Sequence, residues 1–525
     1  MSRPGLVLEV DERTPPLLVH EGEGFRLERF PLGTRVIYPP DSLPGIRDVN
    51  RRIEDALLNP LGSEPLPELL HSGMRLTIVF DDLSLPLPPM QAPDVRQRVI
   101  EQVLEMAANA GVDDVELLAG NALHRRMTPA EIKHIVGERV FNSFWPDRLR
   151  NHDAEDRDNL TSLGQTRHGE DVEINSRAAQ SDLIVYVNIT LVAMSGGAKS
   201  VSVGLASYKS LRHHHNVHTL RHSRSFNDPP NSAMHHSYER MHSLLSESVR
   251  VFHIECTVNN DVFPSPFQFL NKREWEWTLK DQAKFLAGKR ANDLAPAGAR
   301  HRVWQNMRAP YGVTGVHAGA TDLVHEKTLG NVHRQQLTEV QGQSDVLMLG
   351  LPYLCPYNVN SVMNPILVYS LGLGYYFNMY KNKPLVREGG ALIMYHPMKA
   401  EFHPLHHPSY IDFYEEVLTQ TIDPATIETK FEEQYATDPW YIHLYRNSYA
   451  YHGVHPFYMW YWGAHALSHL GDVICVGADR RVASRFGFRA ASTLADALEM
   501  AGETVGRSPS LTYLHTPPMT LADVR

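Results

Sequence analysis

The chain has 525 residues, 42% hydrophobic and 21% charged, a globular composition long enough for two domains. With 60 Asp and Glu against 50 Lys and Arg the net charge is −10, which argues against a nucleic-acid partner. Cys256, Cys355 and Cys475 form neither a CxxC pair nor an even disulfide framework, no run approaches the ~20 apolar residues of a membrane helix, and the opening residues hold no signal-peptide core, so a cytoplasmic protein is expected.

In chain order, RLTIVF (75–80) reads as a buried strand of parallel type. The next segment, 94–111, is helical, with Val95, Val99, Val103, Met106 and Ala110 on one face and Gly111 at its stop. A second strand, VELLAG (115–120), precedes a helix over 128–138 that opens with Thr128 and Pro129. DLIVYVN (182–188) is the next strand. Residues 205–250 are rich in His, Ser, Asn and Arg and are broken by NDPPNS (227–232). They read as a long, partly irregular segment over a site. After a Gly- and Ala-rich boundary near 290–300 come the strands DVLMLG (345–350), ALIMYH (391–396) and DVICVG (472–477), then a capped helix over 492–502 ending at Gly502. Alternating strands and helices predict an α/β fold of two domains, each a mainly parallel sheet flanked by helices, with the active site in the cleft between them. The division falls at 1–295 and 296–525, with the final helix packing back on the first domain.

Polar residues collect where strands end. FDDLSLPLP (80–88) offers Asp81 and Asp82, AGNALHRR (119–126) offers His124 between arginines, and the loop from 151 offers His152 and Asp153. The ends of parallel strands are where α/β folds bind ligands. The segment SGGAKSVSVGLASYKSLRHHHN (195–216) combines a glycine turn, a lysine and a histidine run. It is not a Walker A loop, because Ala198 stands where glycine must precede the lysine. Gly196 and Gly197 still suit an anion at a backbone turn. Gly372 and Gly374 lack the third glycine of a dinucleotide fingerprint, since Phe377 stands in its place. His213, His214, His215, His218 and His222 are imidazoles available to a divalent metal, with His214, His218 and His222 on one face if the run is helical. No nearby carboxylate or cysteine completes a closed zinc set.

The order of these motifs resembles the nickel-pincer nucleotide-dependent lactate racemase family, whose members interconvert configurations of 2-hydroxy acids. The stretch 59–88, AGNALHRRMTPAEI, NHDAEDRDNLTSLGQT and AMSGGAKSVSVGLASYKSLRHHHN match the family's segments in order over roughly 55–260. SDVLMLGLP and YWGAHALSHLGDVICVG resemble its second domain more thinly. The resemblance implies a cofactor, nickel pyridinium-3,5-bisthiocarboxylic acid mononucleotide, tethered covalently to Lys199 and seated by Ser195, Gly196, Gly197, Asp82 and Ser84. It makes His215 the metal ligand and His124 a catalytic base beside Asp82. It also implies a racemase or epimerase working by reversible hydride transfer, a small hydroxy-acid-type substrate, and cofactor biosynthesis proteins as partners.

Two departures bear on the substrate. The family's second histidine corresponds to Ile189, and the arginine of its Asp-x-Thr-Arg-Pro loop to Leu85. In the second domain Trp462 matches a family tryptophan, and Asn358 and Asn360 stand near a missing lysine. His168, His222 and the histidines of 403–407 are candidates for a replacement base. Lactate itself is therefore not the expected substrate. The alternatives are a cofactor-binding protein without turnover and a zinc-dependent hydrolase built on the histidine cluster.

Overall fold

All six apolar runs form strands in the computed structural model, which describes residues 5–85, 87–377 and 380–525. Residues 1–4, at the start of the stretch read for a signal sequence, and Pro86 of the 80–88 loop lie outside the described residues. The first sheet has six strands in the order Val313–Gly319, Val251–Val258, Leu183–Thr190, Arg75–Asp81, Asp114–Gly120 and Leu149–Asn151. All neighbours are parallel except Val313–Gly319, which runs antiparallel to Val251–Val258. The chain order reverses between Arg75–Asp81 and Leu183–Thr190. Such a switch point opens a crevice at the carboxyl ends of the two strands.

The second sheet has nine strands. Ser344–Pro352, Val386–Tyr395, Asp472–Val476 and Arg489–Ala491 are parallel neighbours, flanked on the other side by Leu511–Leu514 and Arg35–Ile37. Sheet membership does not follow a single cut at residue 295. Val7–Glu9, Leu17–Gly22, Gly24–Glu28 and Arg35–Ile37 belong to the second sheet, and Val313–Gly319 belongs to the first. The final helix, Leu494–Val505, also departs from expectation. It packs on strands of the second sheet rather than on the first domain, and it runs past Gly502 to Gly506, whose positive φ ends it.

Local chemistry explains the helices next to the crevice. Asp94 caps Val95–Asn109 by accepting from the Arg96 backbone N–H. The buried stripe of that helix is Val95, Val99, Ile100, Val103 and Ala107, rotated from the expected Met106 and Ala110. Thr128 and Glu131 form a reciprocal capping box on Pro129–Val136. The segment expected to be largely irregular is more ordered than its composition suggests. It holds short helices at Tyr208–Leu211 and Val217–Ser223 and a 14-residue helix at Ala233–Ser246, interrupted at 227–232 as expected. Gly372 and Gly374 lie in a wide helical turn over Ser370–Tyr376 and form no nucleotide loop. No helix among the described residues is long and apolar enough to cross a membrane.

A buried carboxylate fastens the connection between Val251–Val258 and Val313–Gly319 to the second sheet. Glu274 accepts from the Leu18 backbone N–H (2.8 Å), from Tyr38 Oη (2.9 Å) and pairs with His515 Nε2 (2.9 Å). Burial raises the Glu274 pKa, but His515 and the Leu18 N–H outweigh it and hold the carboxyl below its ordinary value. Glu274→Ala strands three polar groups in the interior and should cost about 3–5 kcal/mol, read as a lower denaturant midpoint at neutral pH. A depressed carboxyl stabilises above its unfolded value and loses that contribution as pH falls through its folded value. The gap between wild type and variant should therefore close in acid.

Candidate active site

Three loops meet at the switch point of the first sheet. Asp81 ends its strand half-buried, and Asn188 of the adjacent strand donates to its Oδ1 at 2.6 Å. Burial lifts the Asp81 carboxyl to about 6, against the pull of Asn188 and Arg96. Arg96 is buried, doubly bonded to Asp94, and its Nη1 donates to the backbone carbonyls of Asp81 (2.7 Å) and Asp82 (2.9 Å). The guanidinium thus fixes the backbone that presents both aspartates. Asp82 accepts from the Ser84 N–H and hydroxyl, both at 3.0 Å, and meets His124 Nδ1 at 2.8 Å. Burial raises Asp82, but His124 and Ser84 outweigh it and keep it below the usual carboxylate value.

The glycine turn is held from behind. Gly196 (φ +92°) and Gly197 (φ +61°) both have left-handed backbone, and a Cβ on either would meet Glu255 or His325 at under 3 Å. Glu255 is buried, accepts from the Gly197 N–H at 2.6 Å and pairs with His325 Nδ1 at 3.1 Å. Its pKa falls to about 2, because His325 and the Gly197 N–H overcome a large burial penalty. Lys199 starts the helix Lys199–Gly204, which lies close to the Asp114–Gly120 strand because Gly204 meets Gly120 with no side chain between. Ser200 and His253 bond to Asn188 on the same floor. Among the described residues Lys199 Nζ has no hydrogen bond or ion pair. Burial lowers its pKa, and Asp81 and Asp82 pull it partly back.

The other wall comes from the second half of the chain. His215 stacks on Trp462 (5.6 Å between centroids, 18° between planes), and Trp462 stacks on Phe226 (4.4 Å). Gly374 makes room for the indole, since a Cβ there would lie 2.1 Å from Trp462 Cδ1. His214 and His215 touch through their Nδ1 atoms at 2.6 Å. Burial, with Lys199 and His124 nearby, drops the His215 pKa to about 3, so its ring is neutral. Around it, Trp462 Nε1, Tyr458 Oη, Tyr238 Oη and His214 Nε2 are buried without a hydrogen-bond partner. This concentration of unmet polar atoms is unusual for a protein interior.

His124 faces two residues that the motif reading passed over. Its ring lies 5.1 Å from Tyr357 and 5.4 Å, edge-on, from buried His455, whose Nδ1 meets Tyr410 Oη at 2.6 Å. Other expected residues fall elsewhere. Asn358 is buried in a loop staple, accepting from the Cys355 N–H and donating to the Tyr353 carbonyl. Asn360 donates to Glu131 at 2.7 Å. Ser195 stands at the mouth of the glycine turn, its N–H on the Val192 carbonyl. His168 and His222 are exposed, and Ile189 and Leu85 are buried in the apolar core. The histidine run does not converge: His213 turns to Asp171, while His218 and His222 lie against each other, 4.3 Å between centroids and tilted by 38°, on the helix Val217–Ser223. Among the described residues no three His, Cys, Asp or Glu are grouped to hold a metal, so the zinc cluster finds no support.

The Lys199 environment has a measurable consequence. In a pH series of amine acylation read by peptide mass spectrometry, Lys199 should react with a midpoint below that of exposed lysines. Asp81→Asn removes an anion that favours the ammonium form and should lower the midpoint further; an upward move would contradict the electrostatics described.

Comparison with known proteins follows the same segments. Residues 25–228 match the lactate racemase N-terminal domain. The chain is 29% identical over 167 residues to a lactate racemase of Lactiplantibacillus plantarum, covering 31% of this chain and 37% of that one. It is 27% identical over 187 residues to the lactate racemase of Thermoanaerobacterium thermosaccharolyticum, covering 33% and 41%. The match thus spans less than half the length of either curated relative. The solved lactate racemase apoprotein from T. thermosaccharolyticum superposes over 96% of this chain and 99% of that one, with a TM-score of 0.63 and 16% identity, a likeness of fold. Residues 25–228 thus resemble the N-terminal domain of lactate racemases, and the chain as a whole shares their fold.

Proposed function

We propose that the protein is a racemase or epimerase of a hydroxy acid or related hydroxy compound, other than lactate, working with a nickel-pincer nucleotide carried on Lys199. The observation that supports this reading most is the meeting, at one switch point, of an unpartnered lysine amine, a neutral histidine and a carboxylate-oriented histidine. The residues present suit the group. Lys199 has a nucleophilic amine made available by burial. At this turn the Ser195 and Gly197 N–H groups are bonded to Val192 and Glu255, so a phosphate there would be met by the Gly196 N–H and the Ser195 hydroxyl, with Asp82 and Ser84 on the facing loop. His215 offers an imidazole nitrogen, the donor type that suits nickel. If its Nδ1–H donates to His214, the Nε2 lone pair is free, a usual way of orienting a ligating histidine. The nucleotide, when bound, supplies a reversible acceptor for the substrate's α-hydrogen.

The chain's own residues supply the proton chemistry. Asp82 accepts the His124 Nδ1 proton, which leaves Nε2 basic toward a substrate hydroxyl. Ile189 cannot move a proton, and His168 and His222 are exposed side chains. His455 is in place for a second transfer because its ring abuts His124 and Tyr410 anchors its Nδ1. Trp462 closes the opposite wall with a flat apolar face. Leu85 in place of a cation favours a substrate whose anionic group, if any, is held elsewhere. The three cysteines are buried and unpaired, in keeping with a cytoplasmic enzyme loaded there by the cofactor biosynthesis proteins.

Co-expression with those biosynthesis proteins should give a covalent mass adduct on the Lys199 peptide and stoichiometric nickel, both lost in Lys199→Ala; an adduct-free wild type sinks the reading. On a panel of hydroxy acids in deuterated water, product should form without deuterium at the α-carbon. His124→Asn should keep the adduct and slow turnover about 10²–10⁴-fold. His455→Phe should also keep the adduct and slow one reaction direction more than the other. Loading with no turnover on any substrate would instead mark a carrier.

A further inference from the structure

A pocket of about 640 Å3 borders the loops that carry Asp82 and His124. Its lining includes Leu83, Arg125, Glu131, Arg308, Asn360 and His403. The charges on its wall do not balance. Arg125 is matched by Glu131 through two bonds of 2.7 and 3.0 Å. Arg96, also on the wall, is matched by Asp94 at 2.8 Å. Glu131 is fully engaged, since it also accepts from Asn360 and from the Thr128 N–H. Arg308 has no such match. Its Nη1 donates to the carbonyls of Gln305 (2.9 Å) and Met307 (2.8 Å), and no carboxylate pairs with it among the described residues.

That leaves the Nε and Nη2 donors of a half-buried guanidinium without protein partners. His403 adds another. Its Nδ1 accepts from the backbone N–H groups of Leu405 (3.3 Å) and His406 (3.1 Å), so its ring proton resides on Nε2. The ring is held flat against His406, 3.8 Å between centroids. Backbone carbonyls and a stacked neighbour thus hold two donors in fixed positions in the pocket lining, with a permanent positive charge, and the lining carboxylate Glu131, which also acts on Arg308, is already engaged by Arg125.

We infer that this pocket binds an anionic group, a carboxylate or phosphate, with Arg308 as its charge partner and His403 as a supporting donor. Two sources share that chemistry: the anionic end of the enzyme's own substrate, which rests on the proposed function, and a free phosphate, which does not.

Calorimetric titration of the full chain, purified without the nucleotide, with inorganic phosphate and separately with malate tests the site. Saturable binding is expected, weakened at least about tenfold in Arg308→Gln and less in His403→Asn. Arg308→Lys keeps the charge but not the fork, and should fall between wild type and Arg308→Gln. It also covers the case in which Arg308→Gln folds poorly, which the thermal unfolding of each variant reports. No saturable binding to wild type, or equal binding by wild type and Arg308→Gln, overturns the inference. In loaded enzyme, a raised KM with kcat kept in Arg308→Gln assigns the site to the substrate; an unchanged KM with phosphate binding lost assigns it to a free anion. Should Lys199 carry no adduct, the racemase reading fails while the phosphate titration still decides the pocket.

Discussion

The site depends on one buried carboxylate. Glu255 lies at zero exposure in the Val251–Val258 strand and accepts from the Gly197 N–H, so the turn before Lys199 is fastened to the sheet. An unpaired carboxylate at that depth would be costly, and His325 offsets it from a helix packed on the same strand. The two glycines exist in relation to this anchor, since any side chain on them would collide with it or with His325. Arg96 does the equivalent for the opposite loop, holding the Asp81 and Asp82 carbonyls. The reactive groups are therefore few and lightly bonded, while the groups that aim them are buried and heavily bonded.

This division matches what was legible in the sequence. The parallel strands could be read because continuous apolar runs mark strands buried on both faces. The loops at their ends could be read because polar residues there follow directly in sequence. Val251–Val258 gives no clear apolar signal because His253 and Glu255 interrupt its run, and those two buried residues bond to Asn188 and to the Gly197 N–H. Ala233–Ser246 was hidden by histidines and serines that tertiary packing buries. His455 and Tyr357 are more than 200 residues from His124, and no spacing rule links them to it. The N-terminal strands are three to six residues long, too short to give a clear period, and two of them join the second sheet through partners at the far end of the chain.

The pattern of retention and loss within the site is uneven in a physically consistent way. The glycine turn is fixed by Glu255 and His215 is backed by Trp462 and His214, while the Lys199 amine has no hydrogen-bond partner among the described residues. Leu85 and Ile189 do not leave gaps: both are packed in the core, at 4% and 1% exposure. The interior has thus been rebuilt as apolar at the two positions where the resemblance expects a charge and an imidazole. The second half of the chain brings polar side chains to the same crevice, with His455 against His124 and Tyr410 on His455.

The interleaving of the two sheets has a consequence for how the chain is made. Leu17–Gly22 pairs with residues 351 and 352, and Arg35–Ile37 lies between Val7–Glu9 and Leu511–Leu514. During synthesis the first 40 residues can pair among themselves, Val7–Glu9 with Arg35–Ile37 and Leu17–Gly22 with Gly24–Glu28, but the edges that join the rest of the second sheet wait for hundreds of residues to follow. The first sheet faces a shorter delay, completed only when Val313–Gly319 arrives. The amino-terminal strands are thus exposed edges throughout translation, a period in which unpaired edges attract wrong partners. Glu9, Glu21 and Glu28, with Arg26, Arg29 and Arg35, set charges along that stretch and make it a poor template for pairing with another copy.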